Sequence, residues 1–165
     1  EATRAAFGRV DALVNIAGGF TWETLEDGSI DSWQRMFAMN VVTASTMTKA
    51  ALAALKAGGD GRIVNIGAGA AVKAEMGMGA YAASKAGVHR LTESLAVELA
   101  GSGVTVNAIL PSIIDTPTNR TDMPDADTAS WVQPQAVADV IRFLVSDAAR
   151  SISGALIPVT RGTAR

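Results

Sequence analysis

Arg62-Ile-Val-Asn-Ile66 and Val104-Thr-Val-Asn-Ala-Ile-Leu110 are two short apolar runs, and the residues from Ala80 to Ala100 between them read as one long helix. Gly101-Ser-Gly103 stops that helix and Pro111 ends the second run, so the stretch predicts a strand, a helical crossover and a parallel strand. Working outward, Asp11-Ala-Leu-Val-Asn-Ile-Ala17 is another apolar run, closed by Gly18-Gly19, with the profile of a strand buried on both faces. From Ser29 to about Ala57, Trp33, Phe37, Asn40, Ala44, Met47, Ala51 and Leu55 recur at helical steps until Gly58-Gly59. Downstream, residues 112 to 132 show no clear period and predict a functional loop, often a lid. Pro134 then opens a helix with Val137, Ile141, Leu144 and Val145 on one stripe, before a last strand at Ala155-Leu-Ile-Pro-Val159 and a polar tail. The alternation predicts an α/β fold: a doubly wound parallel sheet with right-handed crossovers and helices on both faces. Ligands bind such sheets beyond the C-terminal strand ends, so the residues just after each strand are the ones to weigh.

The chain has 165 residues, enough for one domain and a real core. Charged residues make up 18% against roughly 25% for an average domain, and hydrophobic residues 48%, which argues against disorder. A net charge of −2 and a pI near 5.3 leave no basic face for nucleic acid. There is no cysteine, hence no disulfide, thiolate nucleophile or zinc-thiolate site. No apolar run reaches the 18 or so residues of a membrane span, and the N-terminus lacks a signal-peptide pattern. A cytoplasmic protein that contacts neither membrane nor nucleic acid is expected. Glu1 to Gly8 reads like the tail of a helix, as though the chain starts in mid-fold.

Tyr81-Ala-Ala-Ser-Lys85 is the first chemical candidate. Tyr81 is the only tyrosine, and Lys85 follows it by four residues on the same helical face. A free phenol has a pKa of about 10, so proton transfer at neutral pH asks for a shift of about three units, or about 4 kcal/mol. One ammonium near 4 Å supplies about that at an effective dielectric of 20. Asn15-Ile-Ala-Gly18 leaves the first strand with small residues that let a flat ligand approach the backbone, or it forms an ordinary turn. Asn40 interrupts an apolar stripe and must find partners, as a bridge between backbones or as part of a proton relay. Pro111-Ser-Ile-Ile-Asp-Thr116 holds an amide and a phosphate, or is simply a turn. His89, on the Tyr81 helix, reads as a surface or interface group, and Trp33 and Phe37 as core anchors. One histidine and scattered carboxylates predict no metal site.

Taken together, at this spacing and after these strands, these segments resemble the short-chain dehydrogenase/reductase family over almost the whole chain. The resemblance implies a Rossmann-like fold and NADH or NADPH as cofactor. It makes Tyr81 the proton donor, Lys85 the group that lowers its pKa and holds the nicotinamide ribose, and Asn40 the relay asparagine. Asn15, Ala17 and Gly18 match the family's NNAG segment, with Ile16 in place of its second Asn. Pro111, Ile114 and Thr116 match the turn that contacts nicotinamide and diphosphate, with Ser112 where Gly is usual. The long helices imply a homodimer or homotetramer.

Two departures stand out. The family's glycine-rich phosphate loop and ribose-binding acidic residue belong to an N-terminal region that does not occur in this sequence. Gly67-Ala-Gly69 and Gly77-Met-Gly79 do not replace it, so residues 1–165 are expected to form a single incomplete domain, with an exposed apolar edge on its first strand and weak cofactor binding. The family's catalytic Ser, thirteen residues before the Tyr, is Ala68 here, and Ser84 does not obviously replace it. Losing such a donor costs about 10²–10³ in rate, which an activated acceptor tolerates best. The dihydropteridine reductase-like branch also has Ala there. It is similar through Asp115-Thr-Pro117, Asn119-Arg120, Met123-Pro-Asp-Ala-Asp127 and Ser130-Trp131, and through Ile16-Ala-Gly-Gly-Phe20. Quinonoid dihydropterin is therefore the expected small-molecule substrate, with Phe20, Ala68, Met76 and Met123 as pocket residues, although single residues such as Phe20, Met76 and Met123 are more often ordinary packing. The alternatives are a general carbonyl or 3-oxoacyl-type reductase, and a catalytically inactive oligomeric scaffold.

Overall fold

Four parallel strands, β1 (Ala12–Asn15), β2 (Arg62–Ile66), β3 (Thr105–Pro111) and β4 (Leu156–Val159), stand side by side in that order. The computed structural model describes residues 2–162, so residues 163–165 of the polar tail lie outside the described residues. The register sets Leu13 beside Ile63 and Ile63 beside Val106, and it sets Ile66 beside Ile109 and Ile109 beside Ile157. Strands β2 and β3 sit in the middle and are buried almost throughout. β1 is an edge strand, with Ala12 exposed and Leu13 to Asn15 half-buried. Burial on both faces, expected for this run, fails because nothing among the described residues pairs with its outer side.

Helix α1 (Ala2–Phe7) precedes the sheet, matching the helical tail read from the sequence. Ser29 caps α2 (Ile30–Phe37) by accepting from the Asp31 N–H at 3.1 Å. The chain then passes through a π-helical turn, Ala38–Val42, into α3 (Thr43–Gly58), which Gly59 ends in the left-handed conformation. Helix α4 (Gly79–Glu98) joins β2 to β3, and α6 (Pro134–Leu144), opened by its proline, precedes β4. The segment between β3 and α6 is less formless than its sequence suggests. Thr116 caps a short helix, α5 (Pro117–Asp122), and the Asp115 carboxylate accepts from Arg120 Nη2 at 2.8 Å and Gln133 Nε2 at 2.9 Å.

Side-chain alternation along the strands separates two cores. Leu13, Ile63 and Val106 pack with Ala51, Leu52 and Leu55 of α3, Leu95 of α4 and Leu99 just past its end. Val64, Ile66, Ile109 and Ile157 face the other way, onto Val137, Ile141 and Leu144 of α6. Helices therefore cover both faces, as expected. The expected uniform right hand of the crossovers does not hold: all three connections step the same way across the sheet, but α6 lies on the opposite face from α3 and α4. The β3–α6–β4 connection is consequently of opposite hand to the other two. Trp33 and Phe37 are 38% and 50% exposed instead of anchoring the core. They lie over Gly79 and Gly87 of α4, while Met36 takes the buried position on α2. Among the described residues, no helix is long and apolar enough to cross a membrane.

Candidate active site

The C-terminal ends of β1, β2 and β3 deliver three loops to one edge of the sheet, beginning at Ile16, Gly67 and Ser112. Helix α4 rises beside them and presents Tyr81, Lys85 and His89 at successive turns, since residues four apart share a helix face. Lys85 is 7% exposed, and its Nζ donates to the Ile66 carbonyl at 2.8 Å. Burial lowers its pKa from 10.5 to about 8. Tyr81 is half-buried, its ring edge-on to Phe20 at 4.9 Å between centroids and 79° between planes. Burial raises the phenol above its ordinary 10.0. At Tyr81 burial thus outweighs the acidifying pull expected of the ammonium. Lys85 is turned to a carbonyl and is itself easier to deprotonate, so desolvation decides the direction at Tyr81.

Asn40 lies in the π turn, buried, where its amide bridges backbones. Nδ2 donates to the Gly19 carbonyl at 3.1 Å and to Ser84 Oγ at 2.9 Å, and Oδ1 accepts from the Gly19 N–H at 3.1 Å. The bridge, one of the two roles open to this side chain, is thus formed. Ser84 in turn donates to the Tyr81 carbonyl at 2.7 Å, so it is occupied with its own helix and the Asn40 amide. Asn15 is also committed to the scaffold: its Nδ2 donates to Thr48 Oγ1 at 3.2 Å and to Asn65 Oδ1 at 2.8 Å. Asn65 passes the chain of bonds to Thr92 of α4 at 2.9 Å. Any ligand contact after β1 falls to Ala17 and Gly18, which lie on exposed backbone. A Cβ at Gly18 would stand 3.5 Å from Lys85 Nζ, which places that loop against the ammonium.

Ala68 is 5% exposed, in extended backbone immediately after β2. Its N–H is donated to His89 Nε2 at 3.3 Å. His89 is buried, not a surface group, and burial together with Arg90 and Lys85 holds its pKa below the ordinary 6.5 against the opposing pull of Glu93. The residues that sequence reading undervalued here are His89 and Trp22, whose indole lies against Gly77. A lone apolar-face histidine carries no spacing signal, but its place two helical turns after Tyr81 was a usable one. Pro111 is buried at the end of β3, Ile114 bridges to Val132, and Thr116 spends its oxygen on the Asn119 N–H at 3.2 Å while keeping its hydroxyl proton. Phe20 reaches Tyr81, whereas Met76 is 78% exposed, and Met123 follows the last turn of α5. A cavity of about 310 Å³ runs along β1, lined by Leu13 to Ala17 with Thr43, Ala44 and Met47.

The sheet, these loops and the Tyr81–Lys85 turn have counterparts in known proteins. A family model described as short chain dehydrogenase matches residues 1–127. The chain is 37% identical over 136 residues to a D-beta-hydroxybutyrate dehydrogenase of Rhizobium meliloti, covering 82% of this chain and 53% of that protein. It is 33% identical over 170 residues to a 3-oxoacyl-[acyl-carrier-protein] reductase of Escherichia coli, covering 98% and 70%. A solved structure described as a short chain dehydrogenase/reductase family protein superposes with a TM-score of 0.87 at 32% identity, over 96% of this chain and 68% of its own. The chain thus spans from about half to about two thirds of the length of the curated relatives it matches.

Proposed function

Because this chain belongs to the short chain dehydrogenase family, we propose that it is the catalytic part of an NAD(P)-dependent oxidoreductase in which Tyr81 exchanges the proton with the substrate. The observation that carries this is the single tyrosine of the chain, half-buried on the first turn of α4, with the buried Lys85 ammonium one turn further at the ends of β1 and β2. The ammonium has three N–H donors. One goes to Ile66, and among the described residues no carboxylate pairs with it. A buried cation with unspent donors suits the hydroxyls of a nicotinamide ribose. The exposed backbone at Ala17 and Gly18 and the Thr116 hydroxyl suit the rest of that half of the cofactor. NADH or NADPH supplies the hydride when bound.

The residues of the chain account for the other half of the chemistry. A phenol raised by burial keeps its proton at neutral pH, which is the state a proton donor needs. Hydride arrival leaves a strongly basic oxygen or nitrogen on the substrate, and Tyr81 O–H neutralises it. Lys85 is placed to stabilise the phenolate that remains. Gly19, held on both its N–H and its carbonyl by Asn40, fixes the loop on which Phe20 covers Tyr81.

The substrate class follows from Ala68. Neither its side chain nor its N–H can donate to a substrate oxygen, because the first is a methyl and the second is held by His89. An already polarised acceptor, a conjugated imine or carbonyl of which quinonoid dihydropterin is the preferred case, fits such a site. The relatives named above favour a second reading, a general carbonyl or 3-oxoacyl-type reductase. A second copy of the chain is proposed to pack on the apolar outer face of α2 to α4. The test uses the full-length product of the gene and follows NADH oxidation with quinonoid dihydropterin and with a 3-oxoacyl thioester. Turnover of the first, abolished by Tyr81→Phe, is expected. Turnover of the thioester alone, improved by Ala68→Ser, selects the second reading. Indifference of both activities to Tyr81→Phe leaves an inactive scaffold.

A further inference from the structure

Three consecutive residues at the exit of β2 each have a backbone group held by a hydrogen bond from outside the segment. The Ile66 carbonyl accepts from Lys85 Nζ at 2.8 Å, the Gly67 N–H is donated to the Ile109 carbonyl at 2.8 Å, and the Ala68 N–H is donated to His89 Nε2 at 3.3 Å. The two outer bonds come from side chains one turn apart on α4, the helix that also carries Tyr81. Between them the backbone runs directly across the imidazole: a Cβ on residue 67 would stand 2.4 Å from His89 Nε2 and 3.3 Å from Leu110 Cδ1. Only glycine lets strand and ring approach this closely. An imidazole nitrogen accepts only when it carries no proton, so the bond to Ala68 requires neutral His89 with its hydrogen on Nδ1.

From this arrangement we infer that His89 is a positioning residue, an uncharged acceptor on α4 that sets the distance and orientation of Ala68 relative to Tyr81. The inference rests on the reading of Tyr81 as the proton donor. His89 touches no reacting atom. It acts through the backbone of residues 67 and 68, the segment that faces the substrate where a hydroxyl donor is missing. With no side-chain donor at 68, the shape of that wall is what the site has left to orient an acceptor, and a displacement of about an ångström is costly to catalysis. The charged groups that reach the ring, Lys85, Arg90 and Glu93, all lie on α4, and the residues packed on it from the β2 exit and β3, Gly67 and Leu110, carry no charge. The two cations and burial together keep the ring neutral, and the bond to Ala68 closed, through the neutral range.

The first test needs no variant and no activity. Nitrogen chemical shifts of the single histidine are recorded at neutral pH on the chain as it stands. An unprotonated Nε2 with the proton on Nδ1 is expected, and a protonated Nε2 overturns the inference. The second compares His89→Leu, which keeps bulk and loses the acceptor, with His89→Gln, whose Oε1 can reach the same N–H. Amide exchange at Ala68 is expected to accelerate roughly tenfold in His89→Leu, the order of one lost hydrogen bond, and to recover in His89→Gln. Unchanged exchange in a folded His89→Leu overturns the inference. In the full-length product, kcat is expected to fall roughly tenfold in His89→Leu with KM little changed, and to return within about threefold in His89→Gln. Faster exchange with unaltered kcat reduces the bond to a structural one and also overturns it. An inactive wild type sinks the reductase reading instead, and the exchange data still decide whether the bond exists.

Discussion

Tyr81 and Lys85 feel the same burial with opposite consequences, and both are open to titration. Because Tyr81 is the only tyrosine, phenolate absorbance reports it alone, and its midpoint is expected above 10. Phe20 supplies part of that desolvation from the edge of the ring, so Phe20→Ala is expected to bring the midpoint down toward 10; a midpoint that stays put assigns the shift to the α4 scaffold alone. Lys85 works through stability. Its folded pKa of about 8 lies below the ordinary 10.5, so the folded state holds its proton less tightly than the unfolded one. The penalty is absent above 10.5, where both states are neutral, and is fully felt below 8. Stability attributable to this group is therefore lost as pH falls from 10.5 through 8. Lys85→Met removes the buried charge, and urea denaturation is expected to find it more stable than wild type at pH 7 by up to about 3 kcal/mol, less the bond to Ile66, worth about 1 kcal/mol. The advantage should vanish toward pH 10.5. A difference independent of pH contradicts the buried-ammonium account.

At the scale of elements, the turns after α3 and α4 approach each other closely. Gly103 has φ +79° and a Cβ there would stand 1.8 Å from the Gly59 carbonyl oxygen, whereas Gly101 has φ +81° and nothing within 4 Å. The pair separates conformation from collision. Gly101→Ala is expected to cost about 1–2 kcal/mol, the strain of a side chain in left-handed backbone. Gly103→Ala adds a backbone clash and is expected to cost at least about 3 kcal/mol, with melting temperature falling about 2–4 °C per kcal/mol for a chain of this size. Equal losses in the two variants would mean that the turns separate freely. Both glycines were legible as helix stops, since Gly at that place is a local signal. Their mutual contact was not, because it joins turns more than forty residues apart. Element identity was readable for the same reason: the periods of 2 and 3.6 are local. The hand of the last crossover was invisible, since a helix declares an apolar face without saying which side of the sheet it will cover. In the site, the YxxxK spacing placed Tyr81 and Lys85 on one turn, but the direction of the phenol's shift and the burial of His89 depend on packing from β2, β3 and the Phe20 loop.

At the scale of the whole molecule, α2 carries exposed apolar side chains beside α4. Ile30, Trp33 and Phe37 of α2 are all at least one third exposed, and an exposed apolar patch of that kind marks an association surface. A twofold dimer would use the same patch on both copies, so each residue near the axis meets its own copy or a close neighbour. Phe37 is the informative position because it is half-exposed while its ring still reaches over Gly87 of α4. Phe37→Asp places a carboxylate in the interface of each copy, and burying two unpaired like charges opposes association by several kcal/mol. The monomer loses only the part of the ring it buries, up to about 2 kcal/mol. Light scattering after size exclusion is expected to show wild type as a dimer or tetramer and Phe37→Asp as a folded monomer at the same concentration. The outer edge of β1, unpaired among the described residues, competes as an association site, and it predicts the opposite: an assembly that Phe37→Asp leaves intact and that a proline in place of Ala12, whose N–H points away from β2, disrupts. A wild type that stays monomeric at micromolar concentration rules out both surfaces as interfaces.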